Sequence, residues 1–186
     1  IPIMGETTFL LNLWLDNIVP EHTVTFVRLA LVASMIQVLS NPMITAMLAT
    51  GNIKKYQIIV GGIGLLVLPI TWLFFHWGFP PEIAYMTIIF VFICQLVCRL
   101  YLMRSMIGLS IKRFVREVLL KIAAVNALAM PIPLILCVYM EDGWLRFLLV
   151  GFASVISSGL SIFHIGLGIN EKKFLLNIFQ KIKIWP

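Results

Sequence analysis

Five apolar runs, each long enough to cross a bilayer and each ended by a short polar turn, leave this chain few folds to choose from. A span needs roughly 20 predominantly apolar residues. The runs cover about 23–49, 56–77, 83–102, 118–140 and 144–167 of the 186 residues. The expected fold is an all-α polytopic transmembrane helix bundle of five spans with amphipathic interfacial helices. Residues 1–22 are expected as an extracytoplasmic loop or interfacial segment, 23–167 as the five-span bundle, and 168–186 as a cytoplasmic amphipathic tail. Composition agrees, with 61% hydrophobic and 12% charged residues against roughly 45–50% and 25% in soluble domains.

The turns are short and specific. Gly78-Phe79-Pro80-Pro81-Glu82 ends the second span, because paired prolines stop a helix. Glu141-Asp142-Gly143 separates the last two. Two segments read as amphipathic rather than spanning. In 110–121, Ile111, Phe114, Val115 and Val118 oppose Lys112, Arg113, Arg116 and Lys121. In 171–186, Phe174, Ile178, Ile182 and Trp185 oppose Lys172, Lys173, Lys181 and Lys183. Both patterns suit helices lying on an anionic lipid surface. The apolar register begins mid-pattern at Ile1 and shows no signal peptide, so a longer chain with a preceding helix is expected.

Basic residues set the orientation. Lys54, Lys55, Arg99, Arg104, Lys112, Arg113, Arg116, Lys121, Lys172, Lys173, Lys181 and Lys183 fall on one side, 12 of the 14 Lys and Arg residues. By the positive-inside rule that side, with the C-terminus, is expected to be cytoplasmic. The same rule accounts for the net charge of +6 without a nucleic-acid partner. Cys94, Cys98 and Cys137 sit inside apolar runs and read as buried thiols, so no metal is expected and no cofactor is implied.

Polar residues inside the runs are the candidates for function. Ser34, Gln37, Asn41 and Thr45 recur at helical spacing and form one stripe on the first span. Such groups must find partners or water. Two roles are open: interhelical hydrogen bonding, worth roughly 0.6–2 kcal/mol per contact, or lining a substrate cavity. Arg28 lies about 135° around the helix from the stripe. It either snorkels to the headgroups or faces a cavity where it could hold a phosphate. Pro42, Pro69 and Pro131 are helix-break and gating candidates. Arg99 reads as a positive-inside anchor, and Asn126 as a partner for a carbonyl opened by the nearby prolines. Gly151, Ser154, Ser158 and Ser161, continued by His164, form a small-residue stripe suited to close helix packing. All eight acids are assigned to loops or amphipathic segments, which leaves no carboxylate relay of the kind pumps use.

The segment Asn41-Pro42 through Ala49-Thr50-Gly51-Asn52-Ile53-Lys54-Lys55-Tyr56-Gln57 resembles the C-terminal half of bacterial polysaccharide flippases. These belong to the multidrug/oligosaccharidyl-lipid/polysaccharide exporter superfamily. Leu13-Trp14-Leu15, Val19-Pro20-Glu21, Arg28-Leu29, Arg99-Leu100 and Ser110-Ile111-Lys112-Arg113-Phe114 extend the resemblance over roughly residues 10–170. It implies a non-enzymatic, MATE-like transporter of the bacterial inner membrane, for which this chain would supply part of the second six-helix bundle. The implied substrate is an undecaprenyl-pyrophosphate-linked oligosaccharide, moved by alternating access for surface polysaccharide synthesis. The implied partners are that substrate, membrane lipids and the remainder of the transporter chain. Arg28 is the one cavity arginine the resemblance carries over. A cation-coupled multidrug exporter of the same superfamily, which would want an intramembrane carboxylate, and a membrane enzyme of glycan assembly are the alternatives.

Overall fold

The computed structural model describes residues 2–16, 18–51, 53–168 and 171–172. The described residues form helices and turns and no strand. Five helical segments are long and apolar enough to cross a membrane: Thr23–Ala49, Ile53–His76, Ile83–Ile107, Ile111–Tyr139 and Trp144–Gly166. The protein is an all-α, multi-pass membrane protein. Apart from Glu171 and Lys172, the tail expected over 171–186 lies outside the described residues. The chain divides into two compact units, one from Leu10 to Lys112 and one combining the residues up to Phe9 with those from Arg113 onward.

In the Leu10–Lys112 unit, helices α3 (Thr23–Ala49) and α6 (Ile83–Ile107) pack against each other. Helices α4 (Ile53–Leu65) and α5 (Val67–His76) pack on α6. Ala33, Ser40, Met43 and Met47 are the buried face of α3, and Thr87, Val91, Leu100 and Met103 that of α6. Lipid tails are as apolar as these side chains, so packing and interhelical hydrogen bonds hold the helices together. Gln95 Nε2 donates to the Val60 carbonyl at 3.0 Å, and Arg99 Nε donates to the Tyr56 hydroxyl at 3.0 Å. Arg99, expected as a membrane anchor, is thus also a clasp between α6 and α4. Beyond the opposite end of α6, His22 pairs with Glu82. His22 holds a left-handed backbone (φ 68°) at the start of α3, a conformation costing a non-glycine residue roughly 1–2 kcal/mol.

Helix α3 runs through Pro42 without a break, so the interruption expected there is absent. The second span does break, because α4 stops at Leu65 and α5 begins at Val67 with Pro69 in its first turn. At the break the Leu66 amide turns back to the Ile63 carbonyl at 3.1 Å. Gly108, at φ 68°, ends α6 with a left-handed turn, as glycine at a helix C-terminus commonly does.

The other unit corrects one expectation. Segment 110–121 is not a surface helix apart from the fourth span but is continuous with it over Ile111–Tyr139. This run comprises α7 (Ile111–Phe114), a π-helical turn at Val115–Leu119, α8 (Leu120–Ala129) and α9 (Pro131–Tyr139). No glycine or proline interrupts the run before Pro131, and the wider π turn continues the helix. Pro131 opens α9 at its first residue. Pro133 has no N–H for the Ala129 carbonyl four residues back. Ser157, on α10 (Trp144–Ser161), donates its hydroxyl to that carbonyl at 3.1 Å. Asn126, expected to serve an opened carbonyl, instead donates to Ile122 on its own helix at 2.8 Å. Val150, Ser154, Ser157 and Ser161 form the buried face of α10, which ends in a second π turn, Ile162–Gly166. Two residues of the expected small-residue stripe, Ser154 and Ser161, are on that face, while His164 is exposed.

Two predictions follow from the Leu10–Lys112 unit. A Cβ on Gly64 would sit 2.9 Å from Gln95 Nε2, whereas Gly61 and Gly62 have nothing within 4 Å. Gly64→Ala should therefore weaken the Gln95–Val60 bond and lower thermal stability in detergent by roughly 0.6–2 kcal/mol. Gly61→Ala and Gly62→Ala should be neutral or stabilising by up to about 1 kcal/mol. The second prediction concerns acid. The backbone N–H of Glu82, with a smaller contribution from His22, holds the Glu82 carboxyl below its ordinary value of 4.5, against partial burial. A depressed folded pKa gives stability that is present above the unfolded value and lost as pH falls through the folded one. Melting temperature should therefore drop below pH 4.5, and Glu82→Gln should flatten that acid limb.

Candidate functional site

Two polar constellations stand out, and they differ in whether their hydrogen-bonding capacity is used. The first lies in the unit that includes the residues up to Phe9. Helix α1 (Pro2–Gly5) packs on α9 and α10. Its close approach depends on Gly5, where a Cβ would stand 3.0 Å from Cys137 Sγ. The next residue, Glu6, has a side chain with 0% exposure and meets Arg146, whose side chain is 10% exposed, in the first turn of α10. The pair is bidentate: Arg146 Nε donates to Glu6 Oε1 and Arg146 Nη2 to Glu6 Oε2, both at 2.8 Å. Cys137 Sγ donates to Oε1 at 3.4 Å. Arg146 Nη1 donates to the Met140 carbonyl at 3.1 Å and pairs with Asp142 one turn earlier. Phe9 covers this cluster with Trp144 and Phe147, at ring separations of 5.8 and 6.0 Å.

A fork of this kind matches the carboxylate plane and is among the stronger charge-assisted arrangements. Both Glu6 oxygens and three guanidinium nitrogens are occupied, which leaves little capacity for a ligand. The cluster acts as a lock that ties the N-terminal segment to α9 and α10. Glu6 stands in a bend outside the five spans, as expected of the acids, yet its side chain is fully enclosed. Arg146 offered the only hint in the sequence, as a cation just inside an apolar run. No periodicity points from it to a partner 140 residues away.

The second constellation is the stripe on α3. Ser34, Gln37, Asn41 and Thr45 are all exposed from the Leu10–Lys112 unit, on a face turned from Ala33, Ser40 and Met43. Ser34 and Thr45 bond back to their own helix, at the Ala30 carbonyl (2.8 Å) and the Asn41 carbonyl (3.1 Å). The side-chain amides of Gln37 and Asn41 have no partner among the described residues. The structure therefore aligns all four predicted residues on one open face. Arg28 is exposed too, without a partner among the described residues, and about 135° from the stripe. Pro42 is exposed beside the stripe, while Pro69 and Pro131 mark the breaks in the second and fourth spans.

The chain matches no model of a known protein family, no curated protein and no solved structure.

The lock can be tested by a double-mutant cycle. Arg146→Ala strands a buried carboxylate and should cost roughly 3–5 kcal/mol. Replacing both partners by Met removes both charges and should cost far less. Thermal unfolding in detergent reads the difference, and a double variant as unstable as Arg146→Ala would contradict the lock.

Proposed function

We propose that this protein is part of a transporter that carries a lipid-linked oligosaccharide across the bacterial cytoplasmic membrane by alternating access, with its C-terminus cytoplasmic. The observation carrying this reading is the open polar face of α3. An amide facing hydrocarbon without a partner costs several kcal/mol. Gln37 and Asn41 on a membrane-crossing helix therefore need water, a polar ligand or another polar helix beside them. Amides both donate and accept, which suits sugar hydroxyls, and a row of them lets a glycan slide without a fixed register. Arg28, without an anionic partner among the described residues, supplies a forked cation suited to phosphate oxygens. The resemblance around Asn41–Gln57 supports the same substrate class. The breaks at Leu66 and Met130 interrupt two spans, and interrupted helices are a recurring feature of transporter folds.

A cation-coupled drug exporter of the same superfamily has one observation in its favour, the fully buried Glu6. That carboxylate is already neutralised by Arg146 and has no free oxygen for a coupling ion. The glycolipid reading is therefore preferred.

In cells relying on the intact protein, Arg28→Ala and the pair Gln37→Leu with Asn41→Leu should abolish surface polysaccharide while membrane levels of the protein stay normal. Polysaccharide export that persists in both variants would refute the assignment. Export of a fluorescent cationic drug with no effect on glycolipid would favour the exporter instead.

A further inference from the structure

Outside its buried face, helix α10 has two apolar faces of different character. At 100° per residue, Leu149, Ile156 and Leu160 share an arc of roughly 40°, and Leu148, Gly151, Val155 and Gly159 share a separate arc of roughly 80°. The first face is made of large side chains alone. The second holds both glycines of the helix. A Cβ on either glycine would meet nothing within 4 Å, so packing among the described residues does not call for their small size. Each nevertheless costs a helix interior about 0.8–1 kcal/mol relative to alanine. Small residues are enriched where membrane helices pack on one another, because they let the backbones approach closely.

One end of this second face is already an interface. Pro2 and Ile3 of α1 border a groove of about 380 Å³ with Leu148, Gly151, Phe152 and Val155. Glu6, one turn after Pro2, reaches Arg146 in the first turn of α10. Helix α1 therefore runs antiparallel to α10, and its direction, traced back from Pro2, leads along the groove toward Val155.

We propose that this groove seats an apolar membrane-crossing helix that leads into α1 and packs antiparallel on α10, with Gly151 and Gly159 as its points of closest approach. An acyl chain would fill the same volume but would leave the two glycines without a packing role. The seat continues the α1–α10 interface fixed by the Glu6–Arg146 fork, so that fork anchors one end of a whole helix rather than a single turn. The proposal holds whatever the protein transports.

The test compares two neighbours in the sequence. Val155 and Ile156 are 72% and 60% exposed, lie within about 1.5 Å of the same membrane depth and point roughly 100° apart. A nitroxide spin label is placed at Val155→Cys or Ile156→Cys of the intact protein, with Cys94, Cys98 and Cys137 replaced by alanine. Collision of the label with dissolved oxygen is then read by electron paramagnetic resonance in phospholipid nanodiscs. The label at position 155 should lose access to oxygen, and the label at 156 should keep the full access of a lipid-facing site. Equal access at both would mean lipid on both faces and would overturn the proposal. Protection of position 155 found only in a dimeric fraction would assign the groove to a second copy of the chain, and would overturn it as well. A probe-free variant gives a second reading. Gly151→Leu fills the groove and should lower the melting temperature of the intact protein by at least about 2 °C. Leu149→Phe, on the other face, should leave it within about 2 °C. A Gly151→Leu variant as stable as the unaltered protein, or more stable, would contradict the seated helix.

Discussion

A carboxylate with no exposed surface keeps its charge only where a cation reaches it, and the arrangement around Glu6 follows from that requirement. Arg146 must stand at the start of α10, so the Glu141-Asp142-Gly143 turn brings Asp142 and the Met140 carbonyl to its remaining nitrogens. Gly5 must lack a side chain for α1 to lie against Cys137. The four-residue α1 is far too short to persist alone, since isolated helices below about 12 residues are marginal. It persists because the fork beside it fixes the chain. Such a pair adds little net stability compared with an apolar filling, but its directionality allows one docking geometry for the segment.

The Leu10–Lys112 unit uses polar groups differently. Two of its interhelical bonds, Gln95 to Val60 and Arg99 to Tyr56, are single and have at least one neutral partner. Bonds of this strength hold helices together without welding them, which suits a region whose second span is already broken at Leu66. The open amides of α3 belong to this more yielding unit, whereas the saturated ion pair belongs to the other.

Much of the architecture was legible from the chain alone because length and hydropathy decide what crosses a bilayer. All five spans are helices close to where the apolar runs put them. Local breaks were less legible. Pro42 suggested an interruption, yet α3 continues, because removing one backbone donor loosens a helix without ending it. The basic residues of 110–121 suggested a separate surface helix, since periodicity reports a polar face but not whether the chain turns after it. For the site, spacing placed Ser34, Gln37, Asn41 and Thr45 on one face, and the structure adds that this face is open. The Glu6–Arg146 pair was illegible. A contact across most of the sequence leaves no local pattern, and Glu6 in Gly-Glu-Thr-Thr reads like any loop acid.

The serine that serves the Ala129 carbonyl has a mechanical consequence. A proline-opened helix joint would ordinarily swing through a range of angles, its freed carbonyl soliciting whatever donor passes. Here the donor is mounted on the neighbouring helix, so the joint between α8 and α9 has a preferred setting, like a latch with one notch. Leaving it breaks a single bond, and returning restores it. The fourth span can therefore have a defined rest position without being rigid.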